Sequence, residues 1–307
     1  MKQLILLGSK EPGSKNNVGV LAQSLQAQGL EAQTRVCYLE DMVFCIATHT
    51  QSVIDSVSQT DFASADLVIA MNWYKSGAQA YYRDMAFTLA LYLQKAGVAF
   101  WNSEMLHQRS STKLSALLQL AQAGIDVPET VFSLNPAALR DASDMDFPLI
   151  VKTIAGSRGS KNYLAESAAE LERILTADGG KTPFMVEEFI PNDHDLRIVC
   201  YGGEPVLAIK RRRTSNATHL NNTSQGASAE VVPLKELEEA ALAVCRKACE
   251  LLGREVAGVD ILFASDGSRR MVCLEVNAIP QLTSGSYVSD KATSLARTLN
   301  EYLKGSV

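Results

Sequence analysis

Short apolar runs alternate with longer amphipathic stretches over the first hundred residues. Positions 4–7, 34–38, 67–71 and 98–101 are runs of the strand type, whereas 18–28 and 79–95 repeat apolar residues at helical spacing. Strands that alternate with helices predict a parallel α/β sheet. The loop 8–15 follows the first strand and lies where ligands meet such sheets. It carries neither a GxGxxG nor a Walker spacing, so a plain turn is favoured there over a phosphate cradle.

Near residue 108 the pattern changes. A helical segment over 108–123 stops at Gly124 and runs into a turn and strand over 125–132. A strand over 147–153 enters the glycine-rich stretch 155–161 and returns at 163–164, a hairpin with a glycine-rich tip. A helix over 167–175 and a strand over 184–190 follow. The runs 198–201 and 206–209 flank Gly202 and Gly203, a hairpin turn. Leu237, Ala241, Val244, Cys245, Ala248 and Leu252 mark one face of a helix over 234–252 that stops at Gly253, and strands over 256–263 and 270–276 close the pattern. The reading divides the chain into an N-terminal unit 1–107, a central unit 108–185 and a C-terminal unit 186–307.

A length of 307 residues, 47% hydrophobic and 21% charged, fits several folded units and excludes an extensively disordered chain. The formal net charge of −5 argues against general nucleic-acid binding, which needs a basic surface to displace counterions. No run is long enough for a signal peptide core or a membrane span, so the expectation is a soluble cytoplasmic protein. Cys37, Cys45, Cys200, Cys245, Cys249 and Cys273 form no CxxC pair and are expected as reduced thiols. Cys245 and Cys249, one helical turn apart, read as buried small hydrophobes rather than metal ligands.

Chemistry concentrates near the end of the chain. Asp260 interrupts the apolar run 256–263, and Glu275 and Asn277 interrupt the next, where unpaired buried carboxylates would be costly. The two-residue period of a strand puts Glu275 and Asn277 on one face. Hard oxygen donors on strands suit magnesium, with manganese as an alternative, and commonly bridge such a cation to nucleotide phosphates. Two carboxylates at close range also repel, so neutralising Glu275 is expected to stabilise the metal-free chain.

These strands resemble the metal-binding end of ATP-grasp ligases, and the match is nearest to RimK-like and LysX-like enzymes, which join an amino acid to a carboxylate. The resemblance covers about residues 102–285 and implies an ATP-grasp fold behind an N-terminal Rossmann-like, pre-ATP-grasp domain. It implies ATP-phosphate contacts for Lys113 and Lys152, a flexible lid at 156–160, and a hinge at Glu188 and Phe189 whose backbone reads adenine. It further implies Asp195 near the ribose, followed by Arg197, and Asn221 in contact with ATP. Arg211 and Arg212 match paired arginines that neutralise transferred phosphate or fix a substrate carboxylate, and Asp260, Glu275 and Asn277 match the metal ligands. His219 departs from the pattern, standing where RimK-like enzymes carry arginine.

The implied activity is ATP-dependent amide or peptide bond formation between a carboxylate and an amine through an acylphosphate. A glutathione-synthetase-like or dipeptide ligase is the nearest alternative, and an ATP-binding regulator without catalysis is the other. Self-association is left open.

Overall fold

The structure, a computed structural model, describes residues 1–10, 17–71, 80–105, 113–141, 145–154, 161–214, 220–221, 226–278 and 280–305. The glycine-rich tip 156–160, His219, most of the loop 8–15 and the boundary near 108 lie outside the described residues.

The chain opens with β1 (Gln3–Gly8), α1 (Val18–Ala27) and β2 (Gln33–Tyr38). The Asn17 side chain starts α1 by accepting the Val20 N–H at 3.0 Å, a helix cap of the expected chemistry. Three short strands then appear that the hydrophobic pattern does not announce: β3 (Met42–Ile46), β4 (Gln51–Asp55) and β5 (Thr60–Asp61), paired antiparallel in that order. The reason is visible in β3, where Val43, Cys45 and Ile46 are all exposed and no alternation survives. Next come β6 (Leu67–Ala70), α2 (Ala80–Ala96) and β7 (Ala99–Trp101). Strands β2, β1, β6 and β7 form one sheet in that order with every pairing parallel, as strand-helix alternation predicts.

The middle of the chain gives α3 (Lys113–Gln122), β8 (Thr130–Phe132), α4 (Pro136–Asp141), β9 (Leu149–Thr153), β10 (Asn162–Ala165), α5 (Ala168–Thr176) and β11 (Phe184–Glu188). Its antiparallel sheet has the order β10, β9, β11, β8 and a core of its own built on Leu149, Val151, Leu171, Ile174 and Val186.

The rest supplies β12 (Asp195–Tyr201), β13 (Glu204–Arg212), β14 (Ser228–Val232), α6 (Glu239–Leu252), β15 (Val256–Phe263), β16 (Met271–Asn277) and α7 (Val288–Leu303). The helix expected from 234 starts as a single 3-10 turn, and α6 proper begins at Glu239 and ends on Gly253, whose φ of 62° is the left-handed conformation glycine takes readily. Strands β14, β13, β12, β15 and β16 make an antiparallel sheet. One face packs on α6 through Ile198, Cys200, Ala208, Val259, Ile261 and Cys273. On the other face, Val199, Tyr201, Leu207 and Val256 join Leu4, Leu6 and Leu21 of the N-terminal sheet and helix, with Leu295, Ala296 and Leu299 of α7 in the same core. The first and last parts of the chain therefore share one hydrophobic core, and the central sheet has a separate one. Among the described residues, no helix is long and apolar enough to cross a membrane.

Candidate active site

Strand parity decides where the acids point. Cys273 faces α6, so in a regular strand Glu275, two residues on, would face it too. A register shift inserts Leu274: Ile261 pairs with Cys273, whereas Asp260 pairs with Glu275. The bulge puts Glu275 on the face of Asp260, away from the core, and Asn277 follows it. The Asn277 Nδ2 donates to Glu275 Oε1 at 3.0 Å.

The same face of β12 and β13 supplies the cations. Arg197 stands opposite Asp260 and grips it with two bonds, Nε to Oδ1 at 2.8 Å and Nη2 to Oδ2 at 2.6 Å. Arg211 stands opposite Asp195 and grips it likewise at 2.7 and 2.8 Å, with Nη2 also 3.2 Å from Asp260 Oδ2. Fork-shaped pairs of this kind fix both partners. Arg212, the next strand residue, is exposed on the opposite face and does not join the cluster. Burial pushes the Asp195 carboxyl up to about 6 against the pull of Arg211. With both its oxygens on Arg211, any ribose contact by Asp195 has to share them.

Lys113, at the start of α3, brings its Nζ to 3.7 Å from Glu275 Oε2, and Arg197 Nη2 lies 3.8 Å from Oε1. Burial acts to raise the Glu275 pKa, but Lys113, Lys152 and Arg197, together with the Asn277 hydrogen bond, hold it well below the usual carboxylate range. This reverses the expectation from Asp260–Glu275 repulsion. The cations dominate at Glu275, so neutralising it removes attraction from the metal-free chain.

Lys152 on β9 pairs with Glu187 on β11 at 2.6 Å, and the second Glu187 oxygen is buried without a hydrogen-bond partner. Glu188 is tied down on every side: its N–H bonds the Glu129 carbonyl at 3.0 Å, and its carboxylate accepts from the Glu129 N–H and from Arg270, each at 2.8 Å. Of the backbone pair expected to read a base edge, the Glu188 N–H is thus already engaged. Asn221 is buried in a different network, accepting from the Arg213 N–H at 3.2 Å and donating to Asn192 Oδ1 at 2.8 Å.

Sequence reasoning passes over Lys291 altogether. It lies on the buried stripe of α7 with Ala292, Leu295, Ala296, Leu299 and Leu303, and burial followed by the fields of Arg197 and Arg211 lowers it to about 8. The helical period of that stripe was the available signal, with a lysine in a place that calls for an apolar residue.

Among the described residues no group of three His, Cys, Asp or Glu side chains is arranged to hold a metal by itself. Two carboxylates and one amide on adjoining strands instead fit magnesium that shares its shell with water and phosphate oxygens, a hard cation that rarely uses an all-protein cage.

The profile of the RimK-like ATP-grasp domain matches residues 110–303. A protein named probable alpha-L-glutamate ligase from Methanococcoides burtonii is 33% identical over 215 residues, 68% of each chain. Its namesake from Sodalis glossinidius is 35% identical over 187 residues, 59% of this chain and 61% of that one. In fold, the ATP-grasp ligase PsnB complexed with minimal precursor, Mg and ADP superposes with a TM-score of 0.69 at 18% identity, covering 98% of both chains. D-alanine–D-alanine ligase from Bacillus anthracis complexed with ATP superposes at 0.64 and 15% identity, covering 100% of both. The chain belongs to the RimK-like ATP-grasp family of ATP-dependent carboxylate–amine ligases.

Proposed function

We propose that the charged end of the C-terminal sheet is the ligation centre, with ATP between the central and C-terminal sheets. The observation that carries this reading is the bulge-set face on which Asp260, Glu275 and Asn277 stand together beneath Arg197, Arg211 and Lys113. In the first step a substrate carboxylate oxygen bonds to the γ-phosphorus while the bond to the β-phosphate oxygen breaks, releasing ADP and leaving an acylphosphate. In the second an amine nitrogen bonds to the acyl carbon, inorganic phosphate leaves and the nitrogen gives up a proton. Positioning and charge neutralisation do this work, and no side-chain nucleophile is needed. Lys113 and Lys152 attract the phosphates, and Arg197 and Arg211 offset charge that gathers during transfer. Asp195 orients Arg211, and Asn221 and the Glu188–Phe189 backbone are assigned to the nucleotide's surroundings, while Arg212, exposed on the opposite face of β13, leaves charge neutralisation to Arg197 and Arg211. Asp260, Glu275 and Asn277 hold the metal, with manganese as a possible substitute. Magnesium held by these residues would supply positive charge to offset that of the phosphates.

The three-part division belongs to the same reading, with the central unit bearing the lid, although a cut at 185 would run through β11, which pairs within the central sheet. The relatives' names make L-glutamate the first amine to test. The deciding experiment incubates the protein with ATP, magnesium and pooled carboxylates and amines, glutamate included, and follows ADP and product mass. ADP release that requires one carboxylate, one amine and the metal is expected. Tight ATP binding without ADP from any pair would leave the regulator reading in its place.

A further inference from the structure

The chain enters the central sheet once and leaves it once. Ile125, just after α3, packs with α3 and α6 in the core against the C-terminal sheet, and residues 126–129 then carry the chain out to β8. Residues 189–194 bring it back from β11 to β12. The two crossings begin side by side: the Glu188 N–H donates to the Glu129 carbonyl at 3.0 Å, and the Glu129 N–H donates to the Glu188 carboxylate at 2.8 Å. Because the central sheet has a core of its own, its orientation toward the C-terminal sheet depends on how these crossings are held.

One side chain holds both. Arg270, at the entry to β16, donates through Nε and Nη2 to the Asp126 carboxylate at 2.8 and 2.9 Å. Its Nη2 also reaches the Val127 carbonyl at 3.3 Å, and its Nη1 donates to the Glu188 carboxylate at 2.8 Å. Backbone bonds anchor each crossing separately, from the Cys273 N–H to the Asp126 carbonyl and from the Ser265 N–H to the Pro191 carbonyl, both at 2.8 Å. The guanidinium spans the two and ties them to the strand that carries Glu275 and Asn277. A planar fork can hold several acceptors in fixed directions, whereas an ammonium at the same place is a single point of charge. The three side chains are partly exposed, and ion pairs of that kind add little to global stability. Their consequence is therefore geometric.

In the nucleotide reading, on which this inference rests, ATP lies between Lys152 of the central sheet and Glu275 of the C-terminal sheet, so the angle between the sheets decides whether one ligand meets both. We propose that Arg270 is a positioning residue for the nucleotide, clamping both crossings to β16 so that the central sheet stands at the angle at which ATP spans from Lys152 to the metal ligands. Without the clamp the Asp126 and Glu188 carboxylates it gathers repel each other, and the central sheet samples other angles. The nucleotide then has to select the competent arrangement, and its apparent affinity falls by the fraction of molecules that hold it.

The full chain is tested as wild type, Arg270→Gln and Arg270→Lys, by calorimetric titration with ADP and magnesium and by small-angle scattering with and without that ligand. Arg270→Gln is expected to bind ADP about tenfold more weakly while melting within a few degrees of wild type. Its scattering without nucleotide should show a broader spread of shapes that returns to the wild-type curve at saturation. Arg270→Lys, which keeps the charge without the fork, should recover only part of the affinity and carries the same comparison where the glutamine variant fails to fold. Wild-type affinity in either variant, or weakened binding with nucleotide-free scattering identical to wild type, would overturn the proposal. Absence of ADP binding by wild type would overturn it together with the nucleotide placement. Tight binding by wild type and weak binding by Arg270→Gln, in a protein that releases no ADP from ATP with any carboxylate and amine, would keep the clamp and remove the ligase reading.

Discussion

Replacing Lys152 by methionine should cost the folded protein about 3 kcal/mol, because it strands the buried Glu187 carboxylate, and should also weaken ATP binding. The two effects separate in the Lys152→Met/Glu187→Gln double variant, whose melting temperature should recover while its ATP affinity does not; full recovery of affinity would remove Lys152 from the phosphate site. Glu275→Gln is expected to abolish ligation at every magnesium concentration and to lower the metal-free Tm modestly, since the cations around Glu275 lose their partner. Wild-type ADP formation by that variant would dismiss the metal assignment. Lys291 gives a pH signature. Its folded pKa lies below the unfolded value, so the unfolded chain binds more protons between about pH 8 and 10.5, and the penalty present below pH 8 is relieved as pH rises through that window. Lys291→Met should therefore exceed wild type in stability at neutral pH by on the order of 3 kcal/mol, with the gap closing toward pH 10.5 in paired denaturation curves. A gap that stays constant with pH would mean Lys291 is not the titrating group. The acids of this site were legible in sequence because each breaks an apolar run. Arg197 was legible only as a neighbour of Asp195, since its pairing with Asp260 runs across strands, and Lys291 was invisible because α7 itself was not anticipated.

Among the elements, the strands that carry the site were read nearly to the residue at 256–263, and the hairpin around Gly202 and Gly203 was recognised but drawn too short. Alternation ends where β12 and β13 leave the core: Asp195, Arg197 and Arg211 occupy inward positions with charges, so a hydrophobicity pattern stops before the strand does. The Leu274 bulge was likewise beyond reach, because an extra residue in one strand is defined only by its partner. Gly258 shows how closely these elements are fitted. Gly258→Ala asks Pro280 to give by a few tenths of an ångström, whereas Gly258→Val should push the loop after β16 away from Arg197 at a cost of about 1–3 kcal/mol. Activity in the valine variant should fall much further than stability, and a valine variant with normal turnover would show that the loop position is unimportant.

On the scale of the molecule, the shared core and a polar junction bind the first and last parts of the chain together. Asn102, fully buried at a φ of 62°, donates to the carbonyls of Ala70 and Ala278, both at 3.1 Å, and accepts from the Val256 N–H at 2.9 Å. Beside it the buried Glu104–Arg254 pair meets at 3.0 Å, and Arg254 also donates to the Val276 carbonyl between two proposed metal ligands. Asn102→Ala should lower stability by about 3 kcal/mol, through lost hydrogen bonds and an alanine in the left-handed region, and should reduce activity with it. Hydrogen exchange should find β1 and β12 protected to the same degree and opening together, with the central sheet opening on its own; earlier opening of β1 would refute the single unit. A parallel sheet could be read from the first hundred residues, but not that α1, which packs on it, lies in turn against α7. The ribosome meets the consequence. At translation rates of roughly 5–20 residues per second, the completed N-terminal sheet and α1 wait on the order of 10–40 s for Leu295 and Leu299 to be synthesised, with the apolar side of α1 that meets α7 left to solvent or to a chaperone until then.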